Sequence, residues 1–250
     1  MTILNSNLLE PVLRASPLTV AVIIPVYNEA ARLEKCLSEI LQRHDFDEII
    51  VVDGGSTDAS VEIVCKHMSS EENVSRAVPC LIQTERGRAR QMHAGAQAAD
   101  ADVLLFLHAD TGLPPDAIQQ IRQALRCGNL WGRFDVRLSG QKFLLRIVER
   151  LMNWRSAISG IVTGDQAPFV RRDVYRLTGG FPPMALMEDI EFSKRLKWVA
   201  KPARLPGLVI TSSQRWEQQG VIRTIFLMWS LRLLYWLGVS PERLARWYYR

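Results

Sequence analysis

Acidic residues follow or adjoin short apolar runs at three points of the chain. Asp53 ends the run Glu48–Asp53, Asp110 follows a run that starts at Asp102, and Glu188-Asp189 stands beside Ile190. Parallel strands would bring the first two to one edge of a sheet, where open α/β proteins bind ligands. The third lies far along the chain and could fold back over that edge. One carboxylate that binds a divalent cation and a second that acts as general base suit group transfer from a phosphate ester.

Other polar residues near these points allow two interpretations each. Asp110 either serves such a site or caps the helix predicted to begin near Pro114. The arginines Arg86, Arg88 and Arg90 either face phosphates at a helix start or form a solvated helix face. Asp165 follows Gly164 and either contacts a bound sugar or acceptor, or is only a turn residue.

The elements that must position these residues alternate in type. Strands are predicted over residues 19–26, 48–53, 78–84 and 102–106, separated by helices and short links. This order predicts a mostly parallel central sheet with helices on both faces. Further along, residues 130–138 alternate in polarity and predict a strand with one solvated face. A helix over residues 141–158 and a helix from about Ala185 to Val199 follow, and then a strand over residues 203–210.

Three parts are predicted from this pattern. Residues 1–17 form a loose leader, residues 18–215 form one α/β domain, and residues 216–250 form a basic, aromatic helical tail. Residues 201–250 carry eight Lys or Arg and only two acids, so the tail is +6 while the first 200 residues sum to −1. This asymmetry predicts an anionic partner for the tail.

The tail contains an apolar stretch, residues 221–237, which is short for a bilayer span. Arg223 and Arg232 interrupt it and would lie on opposite sides of a helix, where each is costly at the bilayer centre. We interpret the stretch as a helix that packs on the domain and lies partly on a membrane surface. The alternative is a core or oligomer helix. The aromatic and basic residues around it suit an interface.

The cysteines and the N-terminal residues predict the cellular compartment of the protein. Cys36, Cys65, Cys80 and Cys127 form no C-x-x-C pair and indicate buried free thiols in a reducing compartment. No basic stretch followed by an apolar one marks a signal peptide. We therefore expect a cytoplasmic protein, peripheral on the inner face of the cell membrane if the tail binds lipid.

Four stretches in order resemble glycosyltransferases of family 2, which have the nucleotide-sugar-binding GT-A fold. They are Ile23–Glu29, Val51–Asp58, Leu107–Asp110 and Met187–Asp189. Three further stretches, Thr163–Gln166, Leu186–Glu191 and Thr211–Glu217, resemble a bacterial subgroup named for association with arsenosugar biosynthesis. The first turn lacks G-x-G-x-x-G, and no P-loop occurs, so a dehydrogenase-type dinucleotide fold and a P-loop enzyme are not predicted.

The resemblance implies a role for each matching residue. Asp189 would deprotonate the acceptor hydroxyl, with Glu188 as the second catalytic carboxylate. Asp110 would bind the divalent cation, Mg²⁺ or Mn²⁺, that accompanies the donor diphosphate. The remaining residues implied in binding the nucleotide-sugar are Pro25, Tyr27, Glu29, Asp53, Arg86, Arg90 and Asp165. Arg215 and Trp216 would lie near the acceptor or product. The implied reaction is a one-step inversion at the anomeric carbon.

The sequence departs from the family pattern at three points. The D-x-D motif is His108-Ala109-Asp110, so His108 is either a further metal ligand or a hydrogen-bonded loop residue. Gly54 replaces an acid that often reads the base, which weakens the case for uridine: a UDP-sugar is favoured by the resemblance, but a GDP-sugar stays open. Ser212 replaces the Gln of the Q-x-x-R-W motif, and polymer synthesis is not predicted.

Two rival functions remain at this point. A nucleotidyltransferase that makes the activated sugar would favour a Gly-rich, basic loop after the first strand, which Pro25–Glu29 does not provide. A non-catalytic module that binds a membrane surface or another anion through the tail would not need the acids of the domain. The favoured interpretation is the transferase, with a small-molecule or lipid acceptor and no nucleic acid partner.

Overall fold

The computed structural model describes residues 17–69 and 77–249. Apart from Pro17, the predicted leader lies outside the described residues, as does Arg250 at the end of the tail.

Strands and helices alternate through the first half of the chain. The strands are β1 (Val20–Val26), β2 (Glu48–Asp53), β3 (Pro79–Gln83), β4 (Val103–Phe106), β5 (Thr111–Gly112), β6 (Trp131–Leu138), β7 (Phe169–Arg171) and β8 (Ala203–Thr211). The α-helices are α1 (Ala30–Arg43), α2 (Ser60–Ser69), α3 (Arg88–Ala98), α4 (Ala117–Arg126), α5 (Phe143–Ser159), α6 (Arg172–Leu177), α7 (Glu188–Lys197), α8 (Gln214–Gln219), α9 (Val221–Trp236) and α10 (Pro241–Tyr248).

All of these strands belong to one sheet, in the order β3-β2-β1-β4-β7-β6-β8-β5. The first four in that order are parallel to one another, which confirms the predicted arrangement. Beyond β4 the sheet is mixed, because β7 runs antiparallel to both β4 and β6. The short strands β5 and β7 were not predicted, since two or three residues carry no readable alternation.

Helices cover both faces of the sheet, as the alternation along β1 requires. Val22 and Ile24 of β1 pack into a core shared with α1 and α4. Ile23, between them, packs into a second core shared with α3 and α7. Gly95 of α3 lies so close to the sheet that a Cβ there would stand 2.5 Å from the Ile23 side chain. The mixed α/β class with a helical tail is therefore confirmed.

The solvated face predicted for residues 130–138 is wrong. Trp131 and Arg133 are fully buried in β6, and only Arg137 is exposed. The reason is that two helices cover this face: Trp131 packs in the core shared with α7, and the Arg133 Nη2 atom donates a 3.2 Å hydrogen bond to the Asn153 carbonyl oxygen of α5. Alternation alone cannot show that a polar strand face is covered by a helix with matching donors and acceptors.

The tail packs against the start of α7. Met187 forms a small core with Leu231 of α9 and Leu244 of α10, which brings the tail next to Glu188 and Asp189. No helix within residues 17–69 and 77–249 combines the length and the apolar character needed to cross a membrane.

All four cysteines are free thiols, but only Cys36 is buried. The prediction of buried thiols is thus wrong for Cys65, Cys80 and Cys127, which lie exposed on or near surface helices and an edge strand. Burial raises the pKa of the Cys36 thiol to about 12, which leaves it protonated.

Candidate active site

A cleft of about 830 Å³ opens at the carboxyl ends of β1 and β4, with the tail helices forming one wall. Most of the residues singled out from the sequence line it. They are Pro25, Glu29, His108, Asp110, Asp165, Glu188, Asp189, Arg215 and Trp216. The structure therefore brings together acids that are separated by up to 160 positions, the distance from Glu29 to Asp189.

Hydrogen bonds from a side chain to the backbone hold the carboxyl ends of β1 and β2 in place. Gln91 of α3 donates through its Nε2 atom to the carbonyl oxygens of Val26 and Val52, at 2.6 and 2.8 Å. The same side chain fills the space beside Gly54, where a Cβ would lie 3.0 Å from it. Both β1 and β2 thus end at fixed positions. Position 54 is a glycine because the Gln91 side chain occupies the space that a larger residue would need.

Asp53 lies at the end of β2 and is almost fully buried. Its carboxylate accepts hydrogen bonds of 3.0 and 3.2 Å from the backbone N–H groups of Gly55 and Ser56. These bonds supply the partners that a carboxylate at a buried strand end needs. Asp53 therefore orders the loop after β2 and does not line the cleft.

His108 and Asp165 meet at the base of the cleft. The Nδ1 atom of His108 lies 3.5 Å from the Asp165 carboxylate. The ring packs so closely on Gly164 that a Cβ there would stand 2.4 Å from the imidazole, and its Nε2 atom is buried without a hydrogen-bond partner. Burial raises the pKa of Asp165, but His108, Arg88 and Arg215 outweigh it, so the net shift is downward.

Glu188 and Asp189 form the first turn of α7. Met187 before them adopts a left-handed backbone with φ 69°, a conformation that costs free energy in a non-glycine residue and marks a constrained position. Burial, and then the neighbouring Asp189, raise the pKa of Glu188. Burial also raises the pKa of Asp189, although the charge of Arg232 opposes it. Two carboxyl groups with raised pKa values in one cleft are typical of proton-transfer chemistry.

Arg88, the first residue of α3, provides the main positive charge facing these acids. Burial alone would lower its pKa, but the carboxylates of Glu188 and Asp165 raise it overall. The side chain is exposed to the cleft, so it can also contact a bound ligand. Arg215 stands near Arg88, and its own pKa is lowered by burial and by that second guanidinium.

The arginines 86, 88 and 90 do not share one face. Only Arg88 lines the cleft. The Arg86 guanidinium lies over the Tyr27 ring, 4.1 Å from its centroid, and the exposed Arg90 pairs with Glu85. Tyr27, Arg86 and Arg90 therefore stand outside the cleft walls. Their nucleotide-binding roles stay predictions from the resemblance.

Three charged residues of the cleft, Arg32, Arg155 and Arg232, were not placed there from the sequence. The signal for Arg232 was present, because an arginine inside an apolar helix needs a polar environment. The structure supplies it, since Arg232 faces the cleft while Arg223 is exposed.

The donor set for a divalent cation is small. No cluster of three or more His, Cys, Asp or Glu side chains suited to a metal occurs in the part of the chain that the structure describes. Asp110 offers one half-buried carboxylate at the cleft, and it accepts a 3.2 Å hydrogen bond from Thr111. Mg²⁺ is commonly held by one or two carboxylates together with substrate phosphates. The residues present fit that mode of binding and no all-protein metal cage.

Comparison with known proteins identifies similar sequences. Residues 21–162 match the family described as glycosyl transferase family 2. An undecaprenyl-phosphate 4-deoxy-4-formamido-L-arabinose transferase of Aeromonas hydrophila is 34% identical over 113 residues, which are 44% of this chain and 34% of that protein. An uncharacterized glycosyltransferase of Nostoc is 31% identical over 114 residues, or 45% and 34% of the two chains. The chain thus spans about a third of the length of these curated relatives. Neither description confirms the arsenosugar subgroup.

Solved structures share the fold. A mannosyltransferase from Pyrobaculum calidifontis, in complex with GDP-Man and Mn²⁺, superposes with a TM-score of 0.61 at 22% identity over 78% of this chain and 57% of that one. TarS of S. aureus in complex with UDP-GlcNAc superposes with a TM-score of 0.59 at 16% identity over 78% and 58%. These matches confirm the GT-A fold that the sequence resemblance implies.

Glu188→Gln removes a carboxyl group whose folded-state pKa is raised by burial and by Asp189. Such a group stabilises the fold while it is protonated, and this contribution is lost as the pH rises through its folded-state pKa. The free energy of unfolding of Glu188→Gln should therefore increase relative to wild type as the pH rises from about 4, the ordinary pKa of a glutamic acid, through the raised folded-state pKa of Glu188. Urea unfolding followed by tryptophan fluorescence at several pH values measures this.

Glu62→Gln is the matched control, because Glu62 is an exposed carboxylate in the first turn of α2. If the difference in unfolding free energy between Glu188→Gln and wild type stays constant with pH, the raised folded-state pKa of Glu188 is contradicted.

Proposed function

The chain belongs to glycosyl transferase family 2, and we propose that it is an inverting, metal-dependent glycosyltransferase. It moves a sugar from a nucleotide-diphospho-sugar to an acceptor hydroxyl. The observation that carries the proposal is the convergence of Asp110, Asp189 and Arg88 on one cleft at the carboxyl ends of parallel strands. This arrangement offers an acid for a metal–diphosphate, a base for the acceptor and a cation for the leaving group.

The nucleotide-diphospho-sugar binds at the side of the cleft that the strand ends form. Pro25, Glu29 and Asp110 lie there, and Arg88 and Arg215 provide guanidinium groups that suit phosphate oxygens. The resemblance adds Tyr27, in the loop after β1, and Asp53, at the end of β2, to the nucleotide side, where Asp53 orders the loop that would border the pocket. A bound Mg²⁺ or Mn²⁺ on Asp110 would supply further positive charge for the diphosphate, with His108 as its neighbour. A UDP-sugar is favoured, and a GDP-sugar is the alternative.

Transfer needs a base on the acceptor side. Asp189 takes the proton of the acceptor hydroxyl while the acceptor oxygen bonds to the anomeric carbon. The bond from that carbon to the diphosphate oxygen breaks in the same step, and the nucleoside diphosphate leaves with the electron pair. Attack from the side opposite the leaving group inverts the configuration. A carboxylate with a raised pKa is a better base for this task than an ordinary one.

The acceptor is a small molecule or a lipid, and two helix surfaces favour lipid. The exposed apolar side chains of α5 fall within about 100° of its circumference, and those of α9 fall within a similar arc. They are Phe143, Leu144, Ile147, Leu151, Trp154 and Ile158 on α5, and Ile222, Phe226, Trp229, Leu233 and Trp236 on α9. Trp154 and Trp229 also line the cleft, so it opens between these two stripes. Such aromatic, apolar faces with arginines nearby suit the membrane interface.

We therefore propose a peripheral location on the inner face of the cell membrane. The relative from Aeromonas hydrophila carries undecaprenyl-phosphate in its name, which supports a lipid acceptor for this chain. No observation favours the nucleotidyltransferase. The non-catalytic module would leave the acids of the cleft dispensable, which the next experiments test.

Asp110→Asn should weaken binding of the preferred nucleoside diphosphate by about tenfold or more in the presence of Mn²⁺ or Mg²⁺, because the metal loses its protein carboxylate. Without metal the variant and wild type should bind alike. Calorimetric titration of UDP, GDP and dTDP measures this and identifies the base. The control is Asp116→Asn, an exposed acid just before α4. If wild type binds none of the three with metal present, the donor site is wrong.

Asp189→Asn should lower sugar transfer by a factor of about 10² to 10⁴ while nucleotide binding persists, since an amide cannot accept the acceptor proton. The rate of sugar transfer by wild type should also fall as the pH is lowered, because Asp189 becomes protonated. Incorporation of radiolabelled sugar from the nucleotide-sugar into bacterial lipid and small-molecule extracts measures both. Unchanged transfer by Asp189→Asn would refute the assigned base, whereas loss in the Asp116→Asn control would indicate a non-specific effect.

Trp154→Ser combined with Trp229→Ser should reduce co-sedimentation with phosphatidylglycerol vesicles by about tenfold, because two large apolar side chains no longer enter the interface. Trp198→Ser is the control, since Trp198 is 90% exposed at the end of α7 and belongs to neither stripe. Equal co-sedimentation of the double variant and wild type would argue against membrane contact through α5 and α9.

A further inference from the structure

The cleft contains two separate pairs of neighbouring arginines. Arg88 and Arg215 influence each other and share Asp165 as a nearby carboxylate. Arg155 and Arg232 likewise influence each other, and both act on Asp189. Like charges are not placed together without a compensating partner unless a ligand supplies it. The donor diphosphate of the proposed function accounts for the first pair, whereas the second pair has only the single carboxylate of Asp189 for two guanidinium groups.

Arg155 is the more informative member of the second pair. Its Nε and Nη2 atoms are shielded from solvent, and neither has a hydrogen-bond partner. Buried donors of this kind are rare in native proteins, and each one calls for an explanation. Burial, and then the positive charge of Arg232, lower the pKa of Arg155 to about 10. Even so, the guanidinium stays charged at neutral pH and lies at the wall of an open cleft.

Arg232 approaches from the other wall. It comes from α9, while Arg155 comes from α5, so the two cations flank the acceptor side of the cleft beside Asp189. Their helices are the two that carry the exposed apolar stripes. Both arginines therefore lie beside Asp189, where the proposed function puts the acceptor.

We propose that Arg155 and Arg232 bind a phosphate monoester carried by the acceptor. Two guanidinium groups match a ligand with close to two negative charges and three acceptor oxygens, which a phosphate monoester provides and a single carboxylate does not. The unpaired Nε and Nη2 donors of Arg155 have the fork geometry that bonds two such oxygens at once. The inference rests on the proposed function, because it assigns the acceptor end of that same cleft. The phosphate belongs either to a lipid headgroup or to a soluble metabolite.

The test compares Arg155→Gln and Arg232→Gln with variants on the same two helices. Arg150→Gln on α5 and Arg223→Gln on α9 remove the same charge from exposed positions outside the cleft. Soluble binding is measured by calorimetry with inorganic phosphate and glycerol 3-phosphate, in the presence of a saturating nucleoside diphosphate. Lipid binding is measured by co-sedimentation with phosphatidylcholine vesicles that contain either phosphatidic acid, a monoester, or phosphatidylglycerol, a diester.

The cleft variants should bind the monoester about tenfold more weakly or worse, while the two control variants bind as wild type does. Arg155→Lys should lose affinity too, because it keeps the charge but not the fork. It also serves as the second variant if Arg155→Gln does not fold. Arginine-dependent binding of glycerol 3-phosphate assigns a soluble acceptor, and arginine-dependent preference for phosphatidic acid over phosphatidylglycerol assigns a lipid one.

The proposal is overturned if wild type and the cleft variants bind both monoesters equally, or if the control variants lose affinity to the same extent. Nucleotide binding by the cleft variants is followed in parallel. Retained nucleotide binding with lost monoester binding supports the inference. Absence of nucleotide binding in wild type refutes the donor site instead, and monoester binding measured without nucleotide still decides the role of the two arginines.

Discussion

Arg88 is the charge on which the arrangement of the cleft depends. Three carboxylates, those of Asp165, Glu188 and Asp189, act on this one guanidinium, and they raise its pKa despite the cost of burial. Removing this guanidinium would leave three neighbouring carboxylates without a shared cation, which is more costly than losing one isolated exposed ion pair. Because Arg88 begins α3, the position of that helix on the sheet also fixes where the acids can collect.

Packing below the cleft enforces that position. Phe106 at the end of β4 contacts Phe181 and Phe192, with ring centroids 4.9 and 6.1 Å away, and Phe192 belongs to α7. The strand that leads to Asp110 and the helix that begins with Glu188 are thus joined through one aromatic cluster. Gly95 and Gln91 set α3 against the ends of β1 and β2 in the same region. The charged groups above are held by apolar contacts and backbone hydrogen bonds below, and this rigidity preorganises the site.

Much of this could be predicted from local patterns, and the rest could not, for physical reasons. The parallel half of the sheet follows from apolar runs that alternate with helical periodicity, and the motif order behind the sequence resemblance is what singled out Asp110 and Asp189, which both line the cleft. The covered face of β6 was missed because alternation reports polarity and carries no information on what packs there. The resemblance favoured Arg86 and Arg90 over Arg88 as ligand contacts. Which of these arginines faces the cleft depends on the residue at which α3 begins, and the local pattern does not show that residue. The cleft wall formed by α9 depends on long-range contacts of Met187, which no local pattern shows.

Two parts of the chain form the cleft, and this division bears on the specificity for the acceptor. Residues 21–162, which match the family, supply the strand ends, Asp110 and Arg88. Asp189, Arg215 and Arg232 come from beyond that segment, and the last of these belongs to a helix whose outer face is apolar. In the proposed function, a tail that forms one wall of the cleft and contacts lipid through its apolar stripe couples access to the site with contact at the interface. Exclusion of water by that contact would strengthen every charge interaction within the cleft, including those of the two arginine pairs. In the proposed function, the residues beyond 162 therefore determine which acceptor reaches Asp189.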